Sequence, residues 1–398
     1  MVKDITSSVK FIGVDDLDLD LFESQYIVPD GMSYNSYVIL DEKVAVLDTA
    51  DGRKGEAWKA NLVESLGDRT PDYLVVHHME PDHSALVAWA LAQYPSMTLV
   101  ATAAALKMLP QFFEGIALEG RTLAVKEGDT LCLGNHTLRF AMAPMVHWPE
   151  VMVSYESAEK ILFSADAFGR FGAMEKIAFW ASDDDDWACE ARRYYFNICG
   201  KYGIQVQNLL KKLAGTEISL ICPLHGPILN ENLPYYLGLY QTWSSYGVET
   251  EGIFVAYASI HGGTAAAAER FAEILRQKGC PKVATADLTR DDLAEGVEAA
   301  FRYGKMVLAA SSYDAGVFTP MHDFLYRLQA KGYQKRTVGL IENGSWAPSA
   351  GRVMKEMLGA MKGITVVEPM VSIRSRMHAE DLPKFEALAD AMLEAPAC

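Results

Sequence analysis

Apolar residues in the first half of this chain come in short runs, and the polar residue that ends each run is of a metal-binding type. Tyr73-Leu74-Val75-Val76 leads into His77-His78-Met79-Glu80-Pro81-Asp82-His83. The run from Phe140 to Val146 leads into His147, that from Lys160 to Ala165 into Asp166, and that from Ile218 to Leu224 into His225, followed by Gly226-Pro227. Apolar runs of this length, bounded by turn residues, read as buried strands. Side chains at the ends of neighbouring strands can converge at one edge, so the pattern predicts a sheet sandwich collecting ligands from several strand ends. Pro81 is expected to stop the first cluster from continuing as a helix and to leave its ligands on a loop.

After Gly247 the pattern changes. Gly252–Ala258, Lys282–Ala286, Lys305–Ala310, Arg336–Ile341 and Ile364–Val367 read as strands. Helical segments are expected between and after them, at 265–275, 291–302, 320–331, 349–362 and 379–394. Five strands alternating with helices predict a doubly wound parallel sheet. The division is placed at 1–249 and 250–398, and with no long linker near residues 245–252 the two parts are expected to pack directly.

The chemistry follows the strand ends. His78-x-Glu80-x-Asp82-His83 has the density and spacing of a two-metal site, and His147, Asp166 and His225 supply the further ligands such a site needs. Singly, a His or Asp after a strand is commonly a cap or turn residue; the series argues for a shared purpose. Glu80 adds a negative oxygen donor, which favours a hard, oxidisable metal over zinc. In the second half, Ser259-Ile260-His261-Gly262-Gly263-Thr264 lies between a strand and a helix. Backbone N–H groups and the helix dipole favour a phosphate there, and the two glycines permit close approach. There is no dinucleotide G-x-G-x-x-G fingerprint. Ligands of this fold sit past the strand carboxyl ends, where the loops Ser311-Ser312-Tyr313-Asp314-Ala315-Gly316 and Asn343-Gly344-Ser345-Trp346-Ala347 fall. Tyr313 and Trp346 suit stacking on a planar ring; an aromatic at a subunit contact is the alternative for Trp346.

These residues carry a resemblance. The order His-x-Glu-x-Asp-His, then His, Asp and a Gly-flanked His, is similar to the metallo-β-lactamase fold. With Glu80 in its second position, and with Glu80–Ser84, His147–Glu150, Ser164–Gly169, Pro223–Pro227 and Gly31–Tyr37 around it, the chain resembles the flavodiiron proteins. The resemblance implies an N-terminal αββα sandwich and a C-terminal flavodoxin-like domain that binds FMN through the loops quoted above. It implies one iron on His78, Glu80 and His147, a second on Asp82 and His225, and Asp166 bridging, the metals roughly 3.5–4 Å apart. His83 is the further metal candidate of the set. The activity implied is reduction of O2 to water, of NO to N2O, or both, with electrons entering through FMN from an external donor such as rubredoxin or a rubredoxin reductase system. A head-to-tail homodimer, or a dimer of such dimers, is also implied. Trp148, Tyr194 and Tyr195 are candidate catalytic neighbours, and Phe196 replaces a residue that is often small in relatives; core packing on a helix face is the plainer reading of the aromatic triplet. The flavin loop departs from the commoner family pattern at Ser312, Tyr313 and Asp314. A dinuclear zinc hydrolase with a flavodoxin-like ligand domain is the rival reading, and a redox sensor without turnover the third.

Composition narrows these readings. The 398 residues suggest two or three domains, and half are apolar, enough for sizeable cores. A net charge of −16 argues against non-specific nucleic-acid binding. No apolar run reaches the length of a membrane span, and residues 1–6 lack a signal-peptide core, so a cytoplasmic protein without membrane contact is expected. Cys132, Cys189, Cys199, Cys222, Cys280 and Cys398 form no C-x-x-C pair. This speaks against a fused rubredoxin-type centre, and most of them are expected to be buried thiols. Asp183-Asp184-Asp185-Asp186 is expected to be a solvated loop.

Overall fold

The structure, a computed structural model, describes residues 2–396. Met1, Ala397 and Cys398 lie outside the described residues. The chain forms two compact units. One comprises the chain up to Tyr195 together with Ile204–Gln241, the other Phe196–Gly203 and the chain from Thr242 onward.

The first unit is built on two sheets. One runs Lys3–Asp4, Val9–Phe11, Tyr37–Leu40, Val44–Leu47, Tyr73–Val75, Thr98–Thr102, Thr122–Val125; the other runs Thr130–Cys132, Thr137–Met142, Met152–Glu156, Ile161–Phe163, Leu220–Cys222. Alternation sends one set of side chains inward from each. Val9, Phe11, Ile39, Leu47 and Val75 of the first sheet share a core with Leu131, Leu138, Phe140, Ile161 and Phe163 of the second. The helices Gly55–Leu66 and Ala103–Phe112 pack on the first sheet. Thr102 caps the latter by accepting the Ala105 N–H. This is the αββα sandwich expected from the resemblance.

The sheets turn from antiparallel to parallel where the chemistry sits. Val44–Leu47 and Tyr73–Val75 run parallel, as do Ile161–Phe163 and Leu220–Cys222. Parallel neighbours place their carboxyl ends together, so Asp166 and His225 emerge side by side.

The second unit has the strand order Val283–Asp287, Thr250–Ala258, Tyr303–Tyr313, Arg336–Asn343, Ile364–Val366, all parallel. This is the order of the flavodoxin-like doubly wound sheet. The last strand position is shared: Val371–Ile373 pairs with the far half of Arg336–Asn343. The helices Gly263–Gln277, Leu293–Arg302, Thr319–Ala330, Ala350–Gly359 and Leu382–Glu394 fall within a few residues of the expected segments.

Three expectations need correction. Pro81 does not keep the first cluster on a loop; it opens a one-turn helix, Pro81–Ser84, that carries Asp82 and His83. Proline at the first helical position sacrifices no internal hydrogen bond, and the helix is too short to spread its side chains round a cylinder. The aspartate run is not wholly solvated, because the Asp184 side chain is buried against the guanidinium of buried Arg170. Of the five described cysteines only Cys199 and Cys222 are buried. Cys132 is exposed because strand alternation turns Leu131 inward and its neighbour out. Among the described residues no helix is long and apolar enough to cross a membrane.

Candidate metal centre and phosphate loop

The carboxyl ends of the sandwich strands bring seven side chains into two touching groups: His78, Glu80, His147 and Asp166, and Asp82, His83 and His225. In the first, His147 Nε2 lies 3.0 Å from Glu80 Oε2 and 3.2 Å from Asp166 Oδ2, and His78 Nε2 lies 3.1 and 3.4 Å from the same oxygens. In the second, His225 Nε2 and His83 Nε2 lie 3.3 and 3.4 Å from Asp82 Oδ2, and His83 Nε2 is 3.3 Å from Asp166 Oδ1. Asp166 therefore presents one oxygen to each group.

Two observations test this arrangement against metal ions. Both oxygens of Asp82 and both of Asp166 are buried with no hydrogen-bond donor, which is costly for a carboxylate unless a cation faces it. Ligands about 2.1 Å from a shared ion at tetrahedral or octahedral angles stand about 3.0–3.4 Å apart, and the donor atoms here are spaced in that way. The residues fit a pair of metal ions.

Surrounding groups orient the ligands. His78 Nδ1–H donates to Glu150 Oε1 at 2.8 Å, and His225 Nδ1–H to the Ser33 carbonyl at 2.7 Å. Each leaves Nε2 directed inward, the usual support of a metal-bound imidazole. Glu150 Oε1 also accepts the Met79 N–H. Asn35 Nδ2 donates to the Pro223 and Gly226 carbonyls, pinning the loop that carries His225. His77 is a different kind of residue: buried, with Nδ1 2.6 Å from Asp48 and Nε2 2.7 Å from Ser154, both nitrogens are engaged away from the centre. His83 differs from His78 and His225 because its Nδ1 is buried without a partner, and its Nε2 is 3.0 Å from that of His225.

The electrostatics of the cluster are strongly coupled. Burial alone would raise the Asp166 carboxyl, but the charge of His78 and the nearby His147 and His83 hold it well below its usual range. Burial opposes ionisation of Glu80 too, yet His147 and His78 bring it down to about 2. Conversely, burial disfavours the His147 cation, but Asp166 and Glu80 raise it to about 9.

Of the aromatic candidates, Trp148 stands perpendicular to His78 with ring centroids 5.2 Å apart, and Tyr194 lies 5.6 Å from the His225 ring. Tyr195 packs edge-on against Tyr240, whose hydroxyl accepts the Phe168 N–H in the Asp166 loop. Phe196 stacks on Phe301 at 4.3 Å in the core of the second unit.

In the second unit, Ser259, Ile260, His261, Gly263 and Thr264 line a cavity of about 910 Å³. The loops Ser311–Ala315 and Asn343–Ala347 close its sides. Gly262 and Gly316 are not in its wall. Gly262 is the left-handed N-cap of the helix Gly263–Gln277, its N–H bonded to Ser259 Oγ; Gly316 pairs with Tyr313 in a small antiparallel turn. A Cβ on Gly263 would come 2.2 Å from the Ser375 carbonyl, so only glycine fits there. Thr264 Oγ1 lies 2.8 Å from Ser311 Oγ and accepts from Asn343 Nδ2 at 3.1 Å. Trp346 is 89% exposed and Tyr313 45%, two aromatic faces left open on cavity-lining loops. Sequence reasoning missed Arg352, Ser375 and Arg376 in the wall. Ser375 and Arg376 follow the strand Val371–Ile373, so the rule of ligands past strand ends would have found them. The sequence reading gave Glu150 and Ser33 no part in the centre and missed Asp48; a carboxylate three residues after His147 was the available signal for the first.

Fold and site together define a two-unit protein with a metallo-β-lactamase-like metal-binding half and a flavodoxin-like half. Residues 32–226 match the family model described as ODP family beta lactamase. The diflavin flavoprotein A 1 of Synechocystis sp. strain PCC 6803 is 34% identical over 245 residues, covering 61% of this chain and 42% of that one. The chain spans 58% of the length of the first curated relatives it matches. Among solved structures, the rubredoxin oxygen:oxidoreductase from Desulfovibrio gigas superposes with a TM-score of 0.90 at 23% identity, covering 98% of each chain. The flavodiiron protein from Giardia intestinalis also gives 0.90, at 22% identity, covering 99% of this chain and 96% of that one. The chain belongs to the flavodiiron protein family.

Proposed function

We propose that this protein reduces O2 to water, NO to N2O, or both, at a pair of iron ions supplied with electrons through FMN. The single observation that carries the reading is the double group of donors, with Asp166 facing both halves and a carboxylate, Glu80, where a hydrolase of the same fold would carry a third neutral imidazole. His78, Glu80 and His147 would hold one iron, Asp82 and His225 the other, with His83 beside it. Bound, the flavin would accept electrons from an external donor and the iron pair would reduce the gas, the three together holding the four electrons that full reduction of O2 requires.

The chain's own residues do the rest. Glu80, Asp82 and Asp166 set negative oxygen donors against the metals, which favours the ferric state and iron over zinc. Glu150 and Ser33 fix the tautomer and aim of His78 and His225. Trp148 and Tyr194 wall the centre, and a tyrosine hydroxyl there would donate to a reduced oxygen species. Tyr195, through Tyr240, steadies the Asp166 loop. The cavity between Ser259–Thr264, Ser311–Ala315 and Asn343–Ala347 takes the FMN, its phosphate at the N-terminus of the helix Gly263–Gln277.

The functional division we propose is 1–249 for the iron domain and 250–398 for the flavin domain. The protein would work in the cytoplasm as a head-to-tail homodimer or a dimer of dimers, fed by rubredoxin or a rubredoxin reductase system. The test is gas consumption by one anaerobically reduced sample on oxygen and NO electrodes, with metal analysis in parallel. About two irons per chain and rapid consumption of either gas are expected. Two zincs and no consumption would overturn the reading.

A further inference from the structure

A third cluster of ligand-type side chains lies at the opposite end of the second sheet. Thr137–Met142 pairs antiparallel with Met152–Glu156, Met142 opposite Met152 near the candidate iron centre and Leu138 opposite Glu156 at the other end. Strands of this length separate their two ends by roughly 15 Å. At the far end, His136, Glu156 and Glu159 bring one imidazole nitrogen and two carboxylate oxygens within 4.8 Å of one another.

The histidine supplies an independent sign of a missing partner. His136 is only 6% exposed. Its Nδ1 is buried, lies 3.2 Å from Glu156 Oε1 and makes no hydrogen bond. A buried ring nitrogen aimed at a carboxylate without hydrogen-bond geometry is costly as it stands, and a cation between the two would satisfy both. The carboxylates are held but not saturated. Glu156 is fully buried and accepts the Ala158 and Glu159 N–H groups, one on each oxygen. Glu159 Oε2 accepts the Thr6 hydroxyl at 2.6 Å. Each carboxylate oxygen keeps a lone pair, and backbone donors of this kind orient ligating carboxylates.

We propose that His136, Glu156 and Glu159 form a separate divalent-cation site of zinc type, with water completing a tetrahedral set. One imidazole and two carboxylates with an open position suit that ion. His136 Nδ1 and Glu156 Oε1, 3.2 Å apart, stand within the roughly 3.0–3.5 Å between ligands of a bound zinc, and half-buried Glu159 is the arm free to adjust. Because Glu159 holds Thr6, the ion would tie the N-terminal segment to two strand-end turns, a structural role independent of gas reduction.

The test uses the full-length protein as purified, titrated with ZnCl2 at micromolar free zinc and passed through a desalting column. Metal analysis is expected to find one zinc per chain above the metal already present, with the iron content unchanged. Glu159→Gln and His136→Ala are each expected to weaken that uptake by about tenfold or more while keeping flavin and iron. Glu159→Gln is half-exposed and conservative, so it decides the matter if His136→Ala fails to fold. No additional zinc in the unaltered protein, or equal uptake by the variants, would overturn the site.

Discussion

Asp166 touches both halves of the metal centre, and its two oxygens have no other donors. Asp166→Asn keeps the shape but removes the charge, so iron is expected to fall from about two per chain to below one, counted by metal analysis. Glu150→Ala removes the acceptor of His78 Nδ1, and iron retention against a chelator is expected to weaken by about 10–100-fold; unchanged retention would show that Glu150 does not aim the imidazole. A third residue gives a pH dependence away from the metals. Asp16 is buried between Arg53 Nε at 2.8 Å and Lys54 Nζ at 3.2 Å. Burial alone would raise its carboxyl, but the two cations bring it below its ordinary value. A carboxyl depressed on folding stabilises the fold above its unfolded value of about 3.9 and loses that contribution as pH falls through the folded value. Asp16→Asn is therefore expected to unfold more easily than the unaltered chain at neutral pH, the gap closing below about pH 4. Urea unfolding at several pH values measures it.

At the scale of elements, the strand–loop–helix at Ser259–Thr264 depends on one absent side chain. Gly263→Ala would force a methyl against the Ser375 carbonyl. The variant is expected to lose most of its FMN, read by flavin absorbance after gel filtration, and to keep its iron. Iron lost together with the flavin would point to general misfolding instead. The elements themselves were legible because their causes are local. Apolar runs bounded by turn residues, and the glycine-rich turn between a strand and a helix, act within a few residues. The misreading of Pro81 was local too: the same residue that breaks a helix interior is well placed at its first turn. The split last strand was not legible, because Ile364–Val366 and Val371–Ile373 are made equivalent only by the neighbour they share.

For the whole molecule, the proposed dimer makes a definite expectation. Light scattering should give about twice the 43.9 kDa chain mass, or four times for a dimer of dimers. A monomer that turns over with an electron donor would remove dimerisation from the mechanism. The net charge of −16 means that an acidic donor meets overall repulsion. Raising ionic strength should speed electron delivery from such a donor if that repulsion governs encounter, and slow it if a local basic patch does. Stopped-flow reduction across a salt series distinguishes the two.

The order of residues alone determined which side chains stand at strand ends, where the glycine-rich turn opens a helix, and which donors are available, because strand pattern, turn chemistry and ligand type are written within a few positions. Only tertiary structure decided how those donors are aimed. Glu150 meets His78 across 72 residues and the Ser33 carbonyl meets His225 across 192. It also separated His77 from His78, adjacent residues just past the strand Tyr73–Val75 with unlike fates: one side chain meets Asp48 and Ser154 and the other the carboxylates. Such contacts exist only once two sheets have packed, since packing brings distant backbone into register and leaves each buried polar atom one place to find its partner.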